Sequence, residues 1–244
     1  MSHYQVIVVL PQPPDASAGA ALGEVLSRDL LALLGEPDYA GGDADPPGRW
    51  WDRWTVGGRF ENAFLCTDPA DPRVLPAGDG DRRMVTAAPA SLLDLGAQRA
   101  AAARKAAARW DRATGILRRH PGAATLSALL PRGGDVAART AARRAYYAQP
   151  ALRELAQAGL AHLPGCAVDH YATPRAEFVE QARSGAVPGW ALIDTGGVWH
   201  GTAPPSGTDD AAARRARREY ERSANALLDA LPEGAYLVMA DLHA

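Results

Sequence analysis

The chain has 244 residues, 47% apolar, 22% charged and 7% aromatic, and its 26 Lys and Arg against 28 Asp and Glu leave a formal net charge of −2. Those proportions exclude a disordered tail, a collagen-like repeat and a disulfide scaffold, each of which needs a far stronger bias in charge, Gly/Pro periodicity or Cys content. So small a net charge gives no global attraction to phosphate backbones, so nucleic acid is not an expected partner, and the length suits one α+β domain.

The opening MSHYQVIVVLPQPP has no basic n-region, and its apolar run Val6 to Leu10 is too short for a signal sequence or a membrane span. Tyr4 to Leu10 is a predicted strand. Ala18 to Leu34 places Leu22, Val25, Leu26, Leu30 and Leu33 three and four apart, which predicts an amphipathic helix ending at Gly35. Glu36 to Gly48 carries three prolines and three glycines among acids and reads as an irregular loop.

The stretch Arg49 to Phe60 (RWWDRWTVGGRF) and its sequel Phe60 to Cys66 read as two strands around a sharp turn at Gly57-Gly58. Thr67 to Arg83 is turn-rich, and Met84 to Ala87 is a short extended piece. From Pro89 an Ala/Arg helix is predicted to about Arg119, and a second helical stretch, Val136 to Leu160, is interrupted at Pro150. Together they make a helical insertion at about 89–160 in a single domain spanning 1–244.

Thr173-Pro174-Arg-Ala-Glu177 has the grammar of a helix start, running to about Arg183. Gly189 to His200 reads as a hairpin with its tip at Asp194 to Gly197, followed by a polar linker and a helix over Asp209 to Leu231. Ala235 to His243 is an almost unbroken apolar run, the pattern of a central strand buried on both faces. The expected fold is therefore α+β, with a mixed or antiparallel sheet and several Ala/Arg-rich helices packed on it.

Two constellations could carry chemistry. Asp241 and His243 lie two apart on the last strand, so both side chains face the same way, and a carboxylate beside an imidazole suits general acid/base work or, with a third ligand, a metal. Trp51, Asp52, Trp54, Gly57, Gly58 and Arg59 put aromatic faces, a carboxylate, a tight turn and a guanidinium within nine residues, a set able to stack a planar group and clamp an anion. The competing reading is a hairpin with core tryptophans and an Arg59–Asp52 pair.

Arg139, Arg143 and Arg144 beside Tyr146 and Tyr147 mix charge and aromatic surface as single-strand binders do, but the favoured reading of the sequence is a solvated helix face. His170 and His200 are lone histidines near element ends. Cys66 and Cys166 stand far apart with no CxxC, which supports neither zinc nor a disulfide and fits a reducing cytoplasm. No P-loop, Rossmann or GxSxG signature occurs, and the residues point to no particular cofactor and no metal.

The start MSHYQVIVVL, the block RWWDRWTVGGRF and the end LLDALPEGAYLVMADLHA resemble uncharacterised phage and actinobacterial proteins that open with MSH and an apolar strand, carry a WDWYxIGGRW-like block and close on Asp-Cys-His. The match falls on Trp51, Asp52, Trp54, Val56, Gly57, Gly58 and Arg59, then Asp241 and His243. Arg53 and Phe60 stand where that group has aromatic Trp, and Leu242 where it has Cys. The resemblance implies a shared fold and raises the prospect of a phage-type role in host takeover or anti-defence, or of recruitment into specialised metabolism.

Taken together, these features lead to the expectation of an enzyme acting on an anionic small molecule or modified peptide by acid/base chemistry. Arg59 would hold the anion with Gly57 and Gly58, Trp51 or Trp54 would pack a planar moiety, and His243, oriented by Asp241 or Asp52, would move a proton. The alternative is a non-catalytic protein whose Trp and Arg residues grip a ligand or partner.

Overall fold

A computed structural model describes residues 2–15, 21–35, 51–78, 81–131, 133, 135–161, 167–201 and 211–244. The predicted loop Glu36 to Gly48, the linker after Gly201, the start of the first predicted helix and Cys166 lie outside those residues. The fold is α+β, and the described elements run β1 (His3–Leu10), α1 (Leu22–Leu34), β2 (Arg53–Val56), β3 (Phe64–Leu65), β4 (Leu75–Pro76), β5 (Met84–Pro89), α2 (Leu95–Arg119), α3 (Leu126–Leu129), α4 (Val136–Tyr147), α5 (Pro150–Gln157), α6 (Ala167–Tyr171), α7 (Arg175–Ser184), β6 (Ala191–Ile193), β7 (Trp199–Gly201), α8 (Ala211–Asp229) and β8 (Tyr236–His243). They divide into two compact units, residues 1–99 with 184–244, and residues 100–183.

The first unit holds one mixed sheet of eight strands, in the order β3-β5-β8-β1-β6-β7, with β2 also on β8 and β4 on β5. β8 is the axis of this sheet. Along one side it pairs antiparallel with all of β1, from His3↔His243 to Leu10↔Tyr236. Along the other it is shared, β5 covering its first half (Ala87↔Val238, Pro89↔Tyr236) and β2 its second (Val56↔Ala240, Arg53↔His243).

With both edges paired, all eight of its residues are buried, which is what its unbroken apolar run requires. The β1–β8 ladder runs one step further, with Ser2 N–H donating to the Ala244 carbonyl at 2.8 Å and Ala244 N–H to that of Ser2 at 3.1 Å. β1 and β6 pair in parallel, Val6 opposite Ala191.

The period of two sorts the sheet into two cores. Val6, Val8, Leu10, Trp54, Val238, Ala240 and Leu242 face one way, toward Leu26, Leu30 and Leu34 of α1. Ile7, Val9, Leu237 and Met239 face the other, with Phe64, Val85, Val187 and Leu228 of α8. Gln98 on the first turns of α2 takes the place of a backbone strand, accepting from Leu65 N–H at 2.9 Å and donating to Ala63 O at 2.8 Å.

The expected hairpin of Arg49 to Cys66 does not form. β2 pairs with β8 and β3 with β5. Gly57 and Gly58 take positive φ, +73° and +54°, and lead into a single 3₁₀ turn at Gly58–Phe60 that carries the chain from one strand partner to the next. The β6–β7 hairpin does form, and Asp194 locks its tip by accepting from Gly196 N–H, Val198 N–H and His200 Nε2 at 2.9, 3.0 and 2.7 Å.

In the second unit the helices enclose Ile116, Tyr146, Leu152, Leu155, Val168, Tyr171 and Phe178. Pro150 is the first residue of α5 rather than a kink, and α4 ends three residues earlier at Tyr147. α7 begins at Arg175, one residue beyond the predicted proline start. Asp111 on α2 takes a bidentate pair from Arg175 at 2.9 and 3.0 Å. No helix among the described residues is long and apolar enough to cross a membrane.

Candidate functional site

Where β1, β8 and β2 run side by side, the register sets two polar rows across one face: His3–His243–Arg53 and Gln5–Asp241–Thr55. Residues directly opposite one another in an antiparallel pair share a face, so a sheet end that is apolar on its other side gathers imidazoles, a carboxylate and a guanidinium here. Asp241 and His243 are 5% and 7% exposed.

Each imidazole has its own carboxylate. His3 Nδ1 bonds Asp241 Oδ1 at 2.9 Å and Oδ2 at 3.1 Å, and His243 Nδ1 bonds Asp52 Oδ1 at 2.6 Å. An ionised carboxylate only accepts, so Nδ1 carries the proton in both rings and Nε2 is left with the lone pair of the neutral form. The rings meet edge to face with centroids 5.1 Å apart. Among the described residues no group bonds either Nε2.

The Gly-Gly turn serves this arrangement by close approach. Arg59 N–H donates to Asp241 Oδ2 at 3.0 Å, and a Cβ at Gly58 would lie 2.6 Å from that oxygen and 2.6 Å from Thr55 Oγ1. Only glycine fits there. Asp52 is held by its own N–H on the His243 carbonyl at 2.9 Å, and the hydrogen bond from His243 keeps its carboxyl below the ordinary range, with a smaller contribution from the Arg53 charge.

An open cleft of about 190 Å³ reaches His3 and Gln5 and is walled by Phe60, Gly189, Trp190 and Arg217. Drug-sized ligands occupy ~300–1,000 Å³, so this cleft suits a small group. Arg217 is tied to Glu221 at 2.7 Å and to Gly189 O at 2.6 Å and lies over the Trp190 ring, so it shapes the wall. A larger cavity of about 580 Å³ between α1 and β2 has Arg28 as its only ionisable lining residue and lacks the acid/base pairs.

Of the predicted residues, the structure brings together Asp241, His243, Asp52, Gly58 and, through its backbone, Arg59. It separates the aromatic pair. Trp54 is 3% exposed in the α1-side core with Nε1 donating to Gly35 O at 2.9 Å, and Trp51 stacks on Trp199 of the same cluster at 5.6 Å. Both pack into the α1-side core rather than beside His243, Trp54 because it is out of phase by one residue with Arg53 and Thr55.

The guanidinium of Arg59 is exposed and pairs with neither Asp52 nor Asp241 among the described residues. Gly57 sits beside Thr86, not at the carboxylates. His200 is engaged by Asp194, and His170 packs on Tyr171 and Phe178 in the other unit. The Cys66 thiol is buried, and burial pushes its pKa up, the opposite of an activated nucleophile.

Sequence reasoning missed His3, Arg53, Gln5 and Thr55. The signal was present as alternation: in His-Tyr-Gln-Val the polar residues occupy one phase of a strand whose other phase is apolar. Among the described residues no group of three or more His, Cys, Asp or Glu is arranged to hold a metal ion. No protein-family model, curated protein or solved structure matches the chain.

Proposed function

We propose that the β1/β8/β2 sheet end is a proton-transfer site for a small anionic group, a free molecule or a modified peptide side group. The single observation that carries this reading is the pair of carboxylate-oriented imidazoles, His3 on Asp241 and His243 on Asp52, with ring centroids 5.1 Å apart. One neutral Nε2 takes a proton from the attacking group while the other ring, protonated, gives one to the leaving group. Each carboxylate fixes its ring's tautomer and stabilises the imidazolium that forms. Arg53, in cross-strand register with His243, supplies the charge that attracts the anion and replaces Arg59 in that role.

The test separates binding from turnover. Titration with inorganic phosphate should move the imidazole NMR signals of His3 and His243, and Arg53→Ala should weaken that binding. Turnover is screened on a phosphomonoester, a phosphodiester and a carboxylic ester. His243→Ala should abolish turnover by ~100-fold or more while phosphate is still bound. Phosphate shifts elsewhere in the chain, with both imidazoles unmoved, would sink the proposal.

A further inference from the structure

The total charge of −2 hides a division. Residues 100–183, the helical unit, carry thirteen Lys and Arg against six Asp and Glu, a formal +7, and the remaining residues carry thirteen against twenty-two, a formal −9. A basic domain inside a near-neutral chain has the electrostatic footprint of polyanion binding that a whole-chain sum conceals.

Within that unit the charge is organised on α4. This helix buries only Ala142 and Tyr146 and turns outward Val136, Arg139, Arg143 and Tyr147, spaced three, four and four apart and therefore in one row. Val136 and Tyr147 are the two most exposed large apolar residues described, at 80% and 63%. Arg139, Arg143 and the adjacent Arg144 are exposed and form no ion pair among the described residues. Asp135, the acid that precedes the helix in sequence, is used as its N-cap on Ala138 N–H at 2.8 Å.

The row is also rigid. Tyr146 is fully buried, with its hydroxyl accepting from Val168 N–H at 3.1 Å, and Tyr147 lies edge to face on it at 5.3 Å, so the exposed ring stands on a fixed base. A solvated helix face has no use for an aromatic ring and a valine at the two ends of an arginine row. A strand of unpaired bases does, since a base stacks on the phenol ring while the guanidiniums follow its phosphates. A duplex hides its base faces and could use only the charges.

We infer that the outward face of α4, formed by Arg139, Arg143, Arg144 and Tyr147, binds single-stranded nucleic acid. The site is separate from the histidine pairs and stands whether or not those are catalytic.

The experiment is fluorescence anisotropy of the whole protein with labelled 12-nucleotide oligo(dT) and oligo(U) across a salt series. Three phosphate contacts predict a slope of log K on log[salt] of about −2. Tyr147→Ala should weaken binding roughly 5- to 150-fold, the range for losing one stacked base, whereas Tyr147→Phe should keep it. Arg143→Gln should make the slope shallower by about 0.7. Circular dichroism on each variant checks that the helices persist.

No binding of either oligonucleotide at 50 mM salt would overturn the inference. So would binding that Tyr147→Ala leaves unchanged, or that polyglutamate matches, since either describes a plain positive patch. Preferential binding to phosphatidylserine vesicles over oligonucleotides would replace it with a membrane surface.

Discussion

Gly58 is the position on which the carboxylate geometry depends. Its φ of +54° and the 2.6 Å approach of a virtual Cβ to Asp241 Oδ2 add a left-handed backbone penalty to a clash with buried groups. Gly58→Ala should therefore cost about 2–4 kcal/mol, read as a lowered urea midpoint, and should break the Arg59 N–H bond to Asp241. Arg59→Ala should leave stability near that of the parent, because the contact is made by the backbone. Urea curves for the two variants that coincide would show that the turn does not shape the site.

Asp52 offers a second check at single-residue resolution. Its carboxyl lies below its ordinary value, 3.8, with the His243 hydrogen bond as the main cause. A depressed carboxylate contributes stability above its unfolded value and loses it as pH falls through the lower folded value. The His243 Nδ1–H signal should thus survive acidification past pH 4 and be lost only as Asp52 protonates; loss near pH 6 would mean the pair is not formed.

Among the elements, β8 concentrates the most burial in the fewest residues. Leu237, fully buried between β1 and β5, should cost about 2–5 kcal/mol when replaced by Ala, measured by chemical denaturation. In the helical unit, His170 is the element-level sensor. Burial, with help from the Arg109 charge, lowers its pKa from 6.5, so the folded form resists protonation that the unfolded chain accepts.

Stability must then fall as pH drops below about 6.5, toward the folded value. Hydrogen-exchange protection in α6 and α7, taken relative to the intrinsic exchange rate at each pH, should fall between pH 7 and 5, and His170→Gln should flatten that dependence. Unchanged protection across this range would count against the burial.

β8 was also the most legible element, because a strand-length run that is apolar apart from Asp241 and His243 has one good solution. β1, α1, α8 and the Asp194-tipped hairpin were readable for the same reason, each carrying its period within its own residues. The pairing of β2 and β3 was not. Adjacent strands around Gly-Gly look like a hairpin locally, and what separates them is the room left beside β8 where β5 ends, a fact about residues nearly two hundred positions away. Five-residue α6 and two-residue β4 are too short to show a period.

For the molecule as a whole, the same distinction holds at the candidate site. That Asp241 and His243 share a face followed from strand periodicity. That His3 meets Asp241 and that His243 meets Asp52 followed only from register, which brings together residues 238 and 191 positions apart. Trp54 was misplaced because conspicuous composition in a short window cannot say which phase of a strand faces the ligand. The charge division between the two units was equally invisible to a sum, since +7 and −9 nearly cancel.

The central place of β8 also governs when the sheet can exist. Every other strand precedes it in the chain, and β1, β2 and β5 all need it as a partner. At synthesis rates of ~5–20 residues per second, β1 waits on the order of ten to fifty seconds for β8 to be made. The helical unit, built from one continuous segment, has no such wait. Because the contacts of that unit are local while β1–β8 pairing closes most of the chain, pulse-labelled refolding should protect amides of 100–183 before those of β1 and β8, and the nascent chain spends that interval with β1 lacking its β8 partner and open to chaperones.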